Sequence, residues 1–229
     1  MIRIPIYQPS LSGREKEYVM DCLDSTWISS KGSYIGRFEK DFSEKISVNH
    51  ALTVSNGTVA LHLALVALGI GPNDEVIVPS LTYIASVNAI TYTGAKPVFV
   101  DSLPDTWQLD PMDVLQKITP KTRAIMVVHL YGHPCDMDSI MQIAEEHDLF
   151  VVEDCAEAFG STYKGKYVGS IGHIATFSFF GNKTITTGEG GMVVTNTPEL
   201  FSKAAHFRGQ GLAAQREYWQ IGRASCRER

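Results

Sequence analysis

Short apolar runs recur along this chain, separated by longer stretches in which apolar positions return every three or four residues. The runs at 51–55, 75–79, 97–101, 124–129, 150–154, 175–179 and 191–195 predict seven strands. Two of them, AIMVVH and LFVVEDC, are almost uniformly apolar, as strands are when both faces are covered. Helical periodicity predicts helices over 58–68, 84–91, 137–146 and 199–207, with two further amphipathic segments near 14–24 and 34–45 that would cover the sheet or a partner. The stretch SNGT at 55–58 and the N-cap type Asp136 mark helix starts. Strand and helix alternate throughout, which predicts an α/β domain with a largely parallel sheet.

Composition narrows the function classes. The chain has 229 residues, of which 44% are hydrophobic and 20% charged, enough for a substantial core. A net charge of −5 argues against nucleic acid, whose phosphates favour a basic face. No apolar run approaches the roughly 18 residues of a membrane span, and MIRIPIYQPS lacks the basic and apolar regions of a secretory signal. Cys22, Cys135, Cys155 and Cys226 are scattered with no CxxC pair, so reduced thiols in a cytoplasmic protein are expected. The last ten residues, QIGRASCRER, show no periodicity and back-translate to a sequence resembling a common sequencing adapter. We expect 220–229 to be a non-native tail after an interrupted reading frame, with a basic disordered tail as the alternative.

Ligands of such sheets gather beyond the carboxyl ends of the strands, and polar residues stand there at three places. In TVSNGTVALHLALVAL a strand meets a helix through Asn56 and Gly57, and the helix opening at Thr58 is suited to an anion; an ordinary connection with a capping threonine would read the same way. In FVVEDCAEAFGS, Glu153 and Asp154 end an apolar strand, where a carboxylate is costly unless it meets a cation or caps the next helix. In FSFFGNKTITTGEGGMVVT, Lys183 lies between aromatic residues and glycines. A lysine enclosed by apolar groups loses its charge more easily and becomes a nucleophile toward aldehydes and ketones. Gly188, Gly190 and Gly191 would admit a planar ligand or another backbone; a surface lysine beside a glycine-rich hairpin is the alternative. Together the three supply an amine, an acid and an anion site, the set that pyridoxal phosphate (PLP) requires.

SNGTVALHLAL, VIVPSLTYIASVNAI, EDCAEAFGS and FSFFGNKTITTGEGGMV resemble the PLP-dependent sugar-nucleotide aminotransferases, the GDP-perosamine synthases most of all, over nearly all of 4–219. The resemblance implies the three-layer large domain of a PLP-dependent transferase, with a mostly parallel seven-stranded sheet. It also implies that 1–219 contain this domain and that a smaller C-terminal domain is absent. Lys183 would carry the cofactor and shuttle a proton, and Asp154 would pair with the pyridine nitrogen. Tyr83 would stack on the ring, and Glu157 would lie beside the phenolic oxygen. Gly57, Thr58 and Ser178 would bind the phosphate, and Asn182 would reach the phosphate of a neighbouring subunit in a homodimer. L-glutamate would be the donor and a GDP-linked 4-keto-6-deoxyhexose the acceptor. Dehydratases of the same fold have histidine in place of the lysine, so Lys183 favours amino transfer.

Other classes explain less. A nicotinamide oxidoreductase would not need Lys183 with Asp154, and the chain has no GxGxxG. Another sugar aminotransferase of the family, or a non-catalytic PLP-binding protein of this fold, stays open. His129 and His133 lie four apart on a strand–loop junction without a third ligand, so no metal is expected. His62 reads as a core histidine in an apolar helix and Cys155 as a small buried side chain. WISSKG at 27–32 reads equally as a nucleotide-sugar segment or a packing turn.

Overall fold

The computed structural model describes residues 8–29 and 32–211; the predicted tail and part of the WISSKG segment lie outside them. Seven strands form one sheet in the order β1-β9-β8-β5-β4-β2-β3. They are β1 (His50–Val54), β2 (Glu75–Pro79), β3 (Lys96–Val100), β4 (Thr122–Val128), β5 (Phe150–Asp154), β8 (Ile174–Ser178) and β9 (Gly191–Thr195). A short hairpin, β6 (Thr162–Tyr163) and β7 (Lys166–Tyr167), stands apart. The pairs among β8, β5, β4, β2 and β3 are parallel, and β9 runs antiparallel to both β1 and β8. The mostly parallel seven-stranded sheet expected from the apolar runs is therefore present.

Side-chain alternation explains why those runs are uniform. Val76 and Val78, Ala124 and Met126, and Val152 face one cluster, together with α3 (Gly57–Ala67), α4 (Ile84–Tyr92) and α7 (Pro198–Arg208). Their neighbours Ile77, Ile125, Val127 and Val151 face the opposite cluster, with α5 (Pro111–Lys117) and α6 (Met137–Glu146). Both faces are covered, so the polar positions of a half-exposed strand are missing. On the second face, α2 (Ser33–Ile46) packs Phe42 against Phe177 and Phe179, edge to face, with ring centroids 4.9 and 5.6 Å apart. The first helix, α1 (Glu15–Asp24), buries no residue. The arrangement is three layers, helices on either side of the sheet.

Four local readings change. The helix at 57 is capped by Asn56, whose Oδ1 accepts from the Val59 amide at 2.9 Å, not by a threonine. Asp136 occupies the N-cap position of α6 but makes no cap bond; its oxygens accept from the Ser139 and Tyr163 hydroxyls at 2.6 and 2.7 Å. His62 is half-buried at the surface of α3, edge to face with Tyr92 at 5.8 Å, rather than in the core. Helix α5 was not foreseen; it rests on Asp110 as cap, accepting from the Met112 amide at 2.8 Å, and on Pro111 at its first position.

Candidate active site

A cavity of about 400 Å³ opens at the carboxyl ends of β4, β5 and β8, where the amino ends of α3 and α4 meet them. All eight residues expected to hold the cofactor line it: Gly57, Thr58 and Tyr83, then Asp154 and Glu157, then Ser178, Asn182 and Lys183.

Asp154 ends β5 and is almost wholly buried. Its Oδ2 accepts from the Ser86 hydroxyl at 2.8 Å and its Oδ1 from the Ala156 amide at 3.1 Å. Burial pushes its carboxyl above the ordinary aspartate value, against the pull of these donors and of the Lys183 charge. Asp154 caps no helix; its bond to Ala156 closes a turn.

The first amides of a helix have no intrahelical acceptor. Asn56 occupies that of Val59, and the two residues before it, Gly57 and Thr58, line the cavity. A Cβ on Gly57 would lie 2.8 Å from the Cβ of Ser178, so only glycine lets the helix start so close to the end of β8. From the other side, a Cβ on Gly191 would lie 2.5 Å from the Asn56 carbonyl oxygen. Of the three glycines read as allowing close approach, Gly191 admits this backbone, while Gly188 supplies a positive φ of 84°.

Of the aromatic residues that precede Lys183, Phe180 lines the cavity with it. Phe179 turns into the core, and its backbone closes the loop 179–190 by accepting from Thr187 at 3.0 Å and donating to Gly190 at 2.8 Å. The aromatic flank thus anchors the loop, and the lysine projects to the cavity with Nζ 3.7 Å from Glu157 Oε1. The expected enclosure is present, since the lysine side chain is only 19% exposed and shares the cavity with Leu61, Val128 and Phe180, and Glu157 adds a carboxylate partner to it. Glu157 Oε2 accepts from the Tyr131 amide at 2.9 Å. Tyr83 occupies the N-cap position of α4, is 71% exposed and lines the cavity. Asn182, expected to serve a neighbouring subunit, lines the cavity of its own chain and also a second cavity that includes Lys183.

Ser86 was missed; the signal was a hydroxyl on a helix stripe whose other buried members, Ala89 and Ile90, are apolar. A buried network beneath the site was also missed. Glu153 accepts from His129 Nε2 at 3.0 Å and from the amides of Gly169, Ile171 and Gly172 at 2.7, 2.9 and 2.6 Å. His129 Nδ1 accepts from the Cys135 amide at 3.1 Å, so the ring proton lies on Nε2 and the imidazole is neutral. His129, Glu153 and Cys155 bring their ligand atoms within 4.8 Å of one another, but the hydrogen bonds already occupy the imidazole and the carboxylate. Cys155 is buried as expected, and burial pushes its thiol up to about 12. His133 is exposed, its Nδ1 3.0 Å from the Pro134 carbonyl. Among the described residues no helix is long and apolar enough to cross a membrane.

The profile of the DegT/DnrJ/EryC1/StrS aminotransferase family matches residues 9–225. A GDP-perosamine synthase of Escherichia coli O157:H7 is 70% identical over 216 residues, covering 94% of this chain and 59% of the relative. Among solved structures, the aminotransferase from Psychrobacter cryohalolentis superposes with a TM-score of 0.86 at 43% identity, covering 91% of this chain and 53% of that one. A candidate sugar aminotransferase from Streptococcus pneumoniae in its PLP form gives a TM-score of 0.88 at 34% identity, over 93% of this chain and 59% of that one. The chain therefore spans between half and two thirds of the length of these relatives.

Proposed function

Because the chain belongs to the DegT/DnrJ/EryC1/StrS aminotransferase family, we propose that it is the large, cofactor-binding domain of a PLP-dependent sugar aminotransferase. Its reaction moves an amino group from L-glutamate to the 4-keto carbon of a GDP-linked 4-keto-6-deoxyhexose, giving GDP-perosamine. The single observation behind this reading is that Lys183, from a loop, and Asp154, at the end of β5, open into one cavity beside a helix amino terminus. The 70% identity to a GDP-perosamine synthase supports the choice of sugar. In this reading residues 1–219 contain the large domain, and a smaller C-terminal domain lies in the length that the relatives have and this chain does not span.

The donor set fits PLP. Asp154 is a buried carboxyl with one donor on each oxygen, and a ring N–H would supply the cation that its burial demands. The first amides of α3, at Gly57 and Thr58, with the Thr58 and Ser178 hydroxyls, suit a phosphate at the positive end of the helix. Tyr83, exposed at the cavity, suits offset stacking on a planar ring, worth about 0.5–1.5 kcal/mol.

When bound, PLP supplies an aldehyde for attachment and a protonated ring that withdraws electrons. Lys183 Nζ is the amine for that attachment and, once released, takes and returns the proton at the reacting carbon of the substrate. Asp154 keeps the proton on the ring nitrogen, and Ser86 and the Ala156 amide fix the direction of its oxygens. Glu157, held by the Tyr131 amide, would lie on the side of the phenolic oxygen, and its Oε1 is 3.7 Å from Lys183 Nζ. The expected pairing of two copies belongs to this reading; Leu81, Tyr83 and Ile84 are exposed at one edge of the site.

The test uses protein expressed from the complete reading frame and loaded with PLP. Glutamate should change the absorption of the bound cofactor and release 2-oxoglutarate, and the GDP-linked keto sugar should then be aminated. Lys183→Ala should abolish both steps and the attachment trapped by borohydride. Attachment at another residue, or no 2-oxoglutarate from the parent protein, overturns the reading.

A further inference from the structure

Trp107 and Tyr131 come from two different loops, after β3 and after β4, yet their rings meet edge to face with centroids 6.3 Å apart. Both are exposed, at 56% and 74%. Both also adopt left-handed backbone, with φ of 62° and 54°, a conformation disfavoured for bulky side chains that persists only where surrounding structure imposes it.

The imposing group is Gln108. Its side chain is buried, with Nε2 donating to the Leu130 carbonyl and Oε1 accepting from the Leu130 amide, both at 3.2 Å. The thiol of Cys135 adds a third bond, to Oε1 at 3.5 Å. One carboxamide therefore ties the residue after Trp107 to the residue before Tyr131, and it holds two aromatic rings rigidly in solvent. Core packing gains nothing from that placement, and a preorganised aromatic surface suits a planar ligand.

The position of the pair indicates which ligand. Tyr131 donates its amide to Glu157, and Leu130 and Glu157 both line the cavity that holds Lys183. The aromatic surface begins where the cavity ends. We infer that Trp107 and Tyr131 form the platform for the purine base of the nucleotide-linked substrate, while the sugar reaches Lys183. This rests on the aminotransferase reading and adds a residue-level site for the nucleotide.

The experiment compares the parent, Trp107→Ala and Trp107→Phe in the PLP-loaded protein from the complete reading frame. Trp107→Ala should raise KM for the GDP-linked sugar at least about fivefold, the effect of losing one base-stacking ring. The rate of the glutamate half-reaction should stay at the parent value, and Trp107→Phe should restore most of the loss. GDP, but not a sugar phosphate without a base, should quench tryptophan fluorescence in the parent and much less in Trp107→Phe. An unchanged KM overturns the platform, as does equal quenching by the base-free phosphate. So does a KM that rises only because Trp107→Ala separates two copies, seen by sedimentation, since the rings would then serve an interface. If the parent itself fails to convert glutamate, the function reading falls, and GDP quenching still decides the platform.

Discussion

Gly57 and Ser178 approach so closely that a Cβ on the glycine would lie 2.8 Å from the serine Cβ and 3.1 Å from its Oγ. This contact joins the start of α3 to the end of β8, and so brings the helix amides beside the serine hydroxyl. Gly57→Ala should destabilise the fold by about 1–3 kcal/mol through overpacking. In thermal melts this is a fall of roughly 2–4 °C for each kcal/mol. Gly57→Ala with Ser178→Gly should regain most of the melting temperature but not PLP affinity, because one phosphate donor is gone. Full recovery of both would show that Ser178 holds no phosphate.

Asp154 carries a pH signature. Its folded pKa is raised by burial, so the folded state binds its proton more tightly than the unfolded state. Its contribution to stability is complete below the ordinary value of 3.8 and is lost as pH rises through the raised value. Asp154→Asn removes this loss. The cofactor-free variant should be at least as stable as the parent at neutral pH, with a flatter stability profile above the carboxylate range, while losing transamination. Urea titrations across pH check the sign; a variant less stable than the parent at neutral pH would count against it.

Glu153 behaves in the opposite sense. Burial alone would push its carboxyl up, but His129 and the backbone amides hold it below the ordinary value of 4.5. Its stabilisation is present above that value and is lost as pH falls through the folded value. Glu153→Gln gives four donors a single carbonyl oxygen, and each buried donor left unsatisfied should cost about 1–3 kcal/mol. The mutation should also weaken the parent's loss of stability in acid, measured by denaturant midpoints at two pH values.

The thiols should separate by reactivity. Cys155 is buried, its thiol pushed up to about 12, and Cys135 is buried, whereas Cys22 is partly exposed. Iodoacetamide on the native protein should label Cys22 well before Cys135 or Cys155, read residue by residue by mass spectrometry. Early labelling of Cys155 would contradict its burial.

Much of this molecule was legible from local pattern. The largely apolar runs at 75–79, 150–154 and 191–195 coincide with strands, because a strand covered on both faces is apolar at most positions, with polar residues such as Glu153 and Asp154 kept where partners meet them. The helix over 137–146 coincides with α6 for the corresponding reason of period. Lys183, Asp154 and the Gly57–Thr58 turn could be named because an amine, an acid and a glycine-led helix start are each conspicuous against that pattern, whereas Tyr83, Glu157, Ser178 and Asn182 came from the family resemblance.

Local pattern failed where the decisive partner was distant in sequence. The enclosure of Lys183 was legible, but its carboxylate partner Glu157, 26 residues earlier in the chain, was not. Ser86 reaches Asp154, and Gln108 reaches Leu130, across separations that periodicity does not encode. The amino-acid order by itself determined which segments are strands and helices, since hydrophobic period and capping act within a few residues. Only the tertiary structure decided which polar groups face one another, because hydrogen bonds and charge pairs depend on distances that exist once the layers have packed.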